Sequence, residues 1–139
     1  MANADSSFLG RRIDSAALPL AVGDVVVLVL LLTVGVVQHN GVDYLSTDPV
    51  GWLLTLVPFL IGWAIVAPLV GAYSAGAAES AKAAIPLALR SWVPAALIGV
   101  GLRASPLFEG GAQLVFVLVV TLVGLVGLGV WRWLYFKIR

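Results

Sequence analysis

The chain has 139 residues, of which 61% are hydrophobic and 11% charged, well short of the roughly one quarter charged that a soluble domain carries. That length suits one domain, 1–139, and four spans of about 20 residues would use more than half of it, leaving no room for a soluble catalytic domain. Cysteine is absent and the net charge is +1, which excludes disulfides, thiolate catalysis and cysteine metal sites and offers no basic tract for nucleic acid.

Residues 1–17 read as a cytoplasmic tail with Arg11 and Arg12. The first apolar block, 20–38, holds thirteen Leu and Val residues and one ionised residue, Asp24. Each Leu or Val favours insertion by about 0.3 to 0.6 kcal/mol, against about 2.5 to 3.5 kcal/mol for an Asp at the helix centre. The block therefore inserts. It is too long for the roughly 7 to 15 apolar residues of a cleaved signal and lacks a small-residue exit. The Arg11-Arg12 pair raises a twin-arginine export signal as the other cleaved alternative.

Residues 39–49, with Asn-Gly and Asp-Pro and no Lys or Arg, form a loop. The second span, 50–72, contains Pro58 and Pro68. They read as kinks in preference to a transporter-like broken helix. Residues 73–84 are small and polar, and Glu79 and Lys82 stand at helical i,i+3 spacing, so a loop or short interfacial helix is expected. The third span, 85–102, carries Arg90 inside and Arg103 at its end, with Pro86 suited to a first turn. Ser91, Ala95 and Gly99 recur every four residues, a stripe that admits a close neighbouring helix. After a Gly110-Gly111 turn the fourth span, 114–134, ends in Trp131, Trp133 and Tyr135, aromatics suited to the headgroup level. Gly124 and Gly127 read as a packing face; they lack the order and preceding strand of a dinucleotide fingerprint.

Seven of the eight Lys and Arg fall on the side of the chain ends, against Arg103 alone on the other. Positive loops stay inside, so an all-α, four-helix bundle with both termini cytoplasmic is expected.

An ionisable residue inside a span is a functional hypothesis. Asp24 lies roughly 6 Å into the first span and Arg90 roughly 7 to 8 Å into the third, at about 1.5 Å per residue from the same side. The expectation is that they pair. Such a pair is a structural clamp or a proton- or substrate-binding carboxylate neutralised at rest; with no pairing, Arg90 snorkels to the interface. On the opposite face His39, Asp43, Arg103 and Glu109 suggest a solvated polar cluster with local ion pairs. No two ligands share a metal-binding spacing, so no metal is expected. With one histidine and no triad, zinc motif, P-loop or paired carboxylates within a span, no enzyme and no cofactor are expected.

The landmarks LPLAVGD, QHN, PFLIGWAIVAPLVGAYS, PLALRSWVPAALIGVGLR and GVWRW resemble domain-of-unknown-function family 3054, small four-helix membrane proteins of haloarchaea and actinobacteria. The resemblance runs over roughly Leu18 to Tyr135. Its landmarks here are Asp24, His39, Gly62, Trp63, Arg90, Trp92, Pro94 and Arg103, and the stretch GWAIVAPLVGAYSAGAAESAKA resembles haloarchaeal members most. It implies a cell-membrane location and four helices, and no activity. The expected function is a non-enzymatic accessory or structural helical module. The alternative is a small oligomeric transporter or channel using Asp24 and Arg90. The expected partners are the lipid bilayer and a second copy or another membrane protein, with no nucleic acid.

Overall fold

Helix boundaries follow from local capping chemistry. In the computed structural model, which describes residues 8–108 and 110–139, the carboxylate of Asp48 accepts the Gly51 N–H at 3.0 Å, and Pro49 fills the first helical position. Both satisfy or remove N–H groups that a helix start leaves without partners. Among the described residues there are six α-helices: α1 (Phe8–Arg12), α2 (Leu18–Asn40), α3 (Tyr44–Thr47), α4 (Pro49–Val70), α5 (Ala81–Ala104) and α6 (Leu114–Ile138). Four of them, α2 with the turn before it, α4, α5 and α6, are long and apolar enough to cross a membrane.

The helix ends differ from the hydropathy blocks: α2 and α5 run past both ends, α6 past its C-terminal end, and α4 stops at Val70, two residues before the expected 72. The third begins at Ala81, four residues before the expected Ile85, because the Ser80 hydroxyl accepts the Ala83 N–H at 3.3 Å and starts the helix there. Glu79 is left before the helix and Lys82 within it, so the i,i+3 pairing expected of them does not form on a common helix. Pro58 and Pro68 lie inside one continuous α4. That helix stops at Gly71, whose φ of 97° favours glycine. The N–H of Ala72 then reaches back to the Ala67 carbonyl at 2.9 Å.

Small residues set the distances between helices. A Cβ added to Gly62 would strike the Ala95 carbonyl oxygen, and one on Gly99 would enter the Phe59 ring, so α4 and α5 approach closely there. Ser91, Ala95 and Gly99 are all buried in α5. Gly124 of α6 accommodates the Trp92 indole, and Gly127 accommodates Leu31 of α2. Through the centre runs a column of rings: Phe116, Phe59, Trp92, Trp63 and Tyr73, with successive centroids 6.0 to 6.3 Å apart. The outward faces of α2 and α6 are exposed Val and Leu, among them Val22, Val26, Leu30, Leu118, Leu122 and Val126, as lipid-facing surfaces require.

The segment before α2 lies across the end of α4. The Asp14 N–H donates to the Tyr73 carbonyl at 2.8 Å, and the Arg12 guanidinium reaches the Val70 carbonyl at 3.4 Å. Residues 8–17 are thus built into the end of the bundle where the chain enters and leaves, which we call the terminal end; the opposite end is the far end.

Candidate functional site

Buried positions in α2 recur every fourth residue, at Leu20, Asp24, Leu28, Leu32 and Val36. Those in α6 do the same, at Val120, Gly124, Leu128 and Arg132. The two stripes face each other, and at the terminal end each presents its one charged member. Asp24 and Arg132 form a salt bridge at 2.6 Å, and neither has any exposed surface. The expected partner of Asp24 was Arg90. Arg90 is instead exposed, because it falls off the buried face of α5, which carries Ala84, Ala88, Ser91, Trp92 and Ala95. It stands six residues from Ala84, roughly 9 Å along the helix.

The pair is bidentate. Arg132 Nε donates to Asp24 Oδ1 at 3.2 Å and Nη2 to Oδ2 at 2.6 Å. The same guanidinium donates through Nη1 to the Ala84 carbonyl at 2.9 Å and through Nη2 to the Ala72 carbonyl at 3.2 Å. The carboxylate accepts a third bond from the Tyr73 hydroxyl at 2.8 Å, which in turn accepts from the Trp63 indole at 2.7 Å. Planar fork geometry of this kind gives strong, directional bonds. Residues from α2, α4, α5, α6 and the α4–α5 connection therefore meet at one neutral cluster. The Trp131 indole packs over Gly23, where a Cβ would overlap the ring. Its N–H is buried beside the same carboxylate but outside hydrogen-bond geometry. Burial, and then the negative charge of Asp24, raises the Tyr73 phenol above the ordinary tyrosine range, so Tyr73 keeps its proton and stays a hydrogen-bond donor to Asp24.

Arg132 is the member that the sequence reading missed. Its position near the end of a span counts it among the cytoplasmic cations. The four-residue recurrence Gly124, Leu128, Arg132 was the available signal that it belongs to the buried stripe.

At the far end the expected polar residues do not form a cluster of ion pairs. His39 and Asp43 are exposed, Arg103 is half-buried, and Glu109 lies outside the described residues. Among the described residues no ion pair joins His39, Asp43 and Arg103, and no group of three metal-ligating side chains occurs. The Arg103 guanidinium lies over the Phe116 ring, 4.5 Å from its centroid. Asp48, further along the same loop, is engaged as the cap of α4.

A family model described as "Protein of unknown function (DUF3054)" matches residues 21–135. No curated protein and no solved structure matches the chain.

Proposed function

We propose a non-enzymatic role for this chain, which belongs to the DUF3054 family of proteins of unknown function: it is an accessory or structural helical module of the cell membrane that works through its helix faces. The observation that carries this reading is the closure of the terminal cluster. The one carboxylate within the spans is fully buried, bidentately paired and triply hydrogen-bonded. A carrier or catalyst needs such a group to meet a substrate. Here Asp24 has no exposed surface at which to meet one.

We place both termini in the cytoplasm. With Arg90 and Arg132 counted inside the spans, Arg11, Arg12, Lys82, Lys137 and Arg139 still stand at the terminal end against Arg103 at the other, and the positive-inside rule sets the orientation. Six arginines against two lysines, with the GWAIVAPLVGAYSAGAAESAKA stretch, support a haloarchaeal source.

The second reading is a small oligomeric transporter or channel, and a cleft at the far end favours it. Variants of Asp24 distinguish the two. In a structural clamp Asp24→Asn leaves Arg132 buried without its counter-charge and lowers stability by about 3 to 5 kcal/mol. The double variant Asp24→Asn, Arg132→Gln recovers part of that loss. Unfolding midpoints in detergent measure both. A carrier would instead keep its stability in Asp24→Asn and lose proton or solute flux in liposomes, and that result would overturn the module reading.

A further inference from the structure

Near the clamp, α2 and α6 touch through Gly127 and Leu31. One turn further, Trp92 fills the space beside Gly124. Beyond that level the two helices part, and a cleft of about 620 Å³ opens between them to the far end. That volume lies in the range of small-molecule sites. Its walls include Leu32, Trp92 and Val120, and its mouth carries Arg103, His39 and Gln113. Among the described residues no Asp or Glu lines it.

Arg103 is held in a fixed place at that mouth. Its guanidinium stacks over Phe116, and Gly110 packs so closely against it that a Cβ there would overlap its side chain. The Gly110 N–H is bonded to the Arg103 carbonyl at 2.6 Å, which draws the loop down over the residue. Its Nε is buried and has no hydrogen-bond partner among the described residues. Nε is covered by Gly110, but the residue as a whole is half-buried at the mouth, and phosphate oxygens satisfy a guanidinium well. Beside Gln38, Asn40 and Thr55 the remaining cleft is mostly hydrocarbon-lined, and it is bordered by exposed Val34, Val119 and Val123.

We propose that this cleft is a binding site for one anionic phospholipid, its phosphate on Arg103 and one acyl chain along Leu32, Trp92 and Val120. The Arg103 cation at the mouth calls for an oxyanion, and the apolar walls call for a chain; the bilayer supplies a molecule that carries both. This inference goes beyond the accessory reading and does not depend on a protein partner.

The test is native mass spectrometry of the purified full chain in detergent, titrated with phosphatidylglycerol or with phosphatidylcholine of the same chains. One phosphatidylglycerol per chain is expected, held at least about tenfold more tightly than phosphatidylcholine, whose headgroup carries the same phosphate but adds a quaternary ammonium that cancels its charge and opposes Arg103. Arg103→Gln removes that preference. Gly35→Trp fills the cleft and removes binding of both lipids; a Cβ on Gly35 meets nothing within 4 Å, so the ring has room to enter. Val119→Trp does the same from the opposite wall, should the first variant not fold. Equal affinity for the two lipids, unchanged phosphatidylglycerol binding in Arg103→Gln and the filled variants, or a protein subunit seated in the cleft would each overturn the proposal.

Discussion

The Tyr73 hydroxyl donates a hydrogen bond to Asp24 and accepts one from the Trp63 indole N–H, so it ties the ion pair to the ring column. Its phenol is raised above the ordinary value by burial and by the adjacent carboxylate, whereas in the unfolded chain it titrates near about pH 10. The unfolded state therefore loses its proton first. The stabilisation is complete below about pH 10 and falls as pH rises toward the folded value. Tyr73→Phe is expected to cost about 1 to 3 kcal/mol at neutral pH, through two broken hydrogen bonds. Its stability should also decline less steeply than the wild type's above about pH 10. Unfolding midpoints across that interval check both, and parallel curves would remove Tyr73 from the linkage. At this scale Asp24 was legible because a charge among thirteen Leu and Val residues is conspicuous. Its partner was not. Depth along a span is readable from sequence, but which side of a helix faces inward is decided by neighbours, and that rotation buries Arg132 and exposes Arg90.

Helix contacts here are set by where a methyl group has no room. Gly62→Ala pushes against the Ala95 backbone oxygen, which cannot rotate away. A loss of about 1 to 3 kcal/mol is expected, as for other overpacked sites. Gly101→Ala sits in the same pair of helices but meets nothing within 4 Å. It should gain about 0.5 to 1 kcal/mol from reduced backbone freedom. Thermal unfolding of the two single variants decides whether the contact, and not glycine content as such, carries the stability. Existence and type of the spans were legible because twenty apolar residues have few other uses. Their ends were not, because hydropathy stops at Lys82 while the hydrogen bonds of α5 continue back to the Ser80 cap.

The first described residues and the end of α6 lie at one end of the whole bundle, with the short helices before α2 folded against it. The chain has no cysteine, so single replacements at exposed Ser46 and Glu79 report topology against a silent background. Ser46→Cys is expected to react with an impermeant maleimide from outside the cell, and Glu79→Cys only after the membrane is opened. The reverse pattern would invert the orientation. The divergence of α2 and α6 was the least legible feature, since no residue announces it. It depends on Gly127, Gly124 and Trp92 holding a fixed register across three helices. The ring column has an optical consequence. Trp63 donates to the clamp through Tyr73, and Trp92 borders the cleft, yet their centroids are 6.3 Å apart. Two indoles held this close in a rigid chiral setting couple their electronic transitions. The near-ultraviolet circular dichroism of the folded chain should therefore carry one signal that responds to loosening of the clamp at one end and to filling of the cleft at the other.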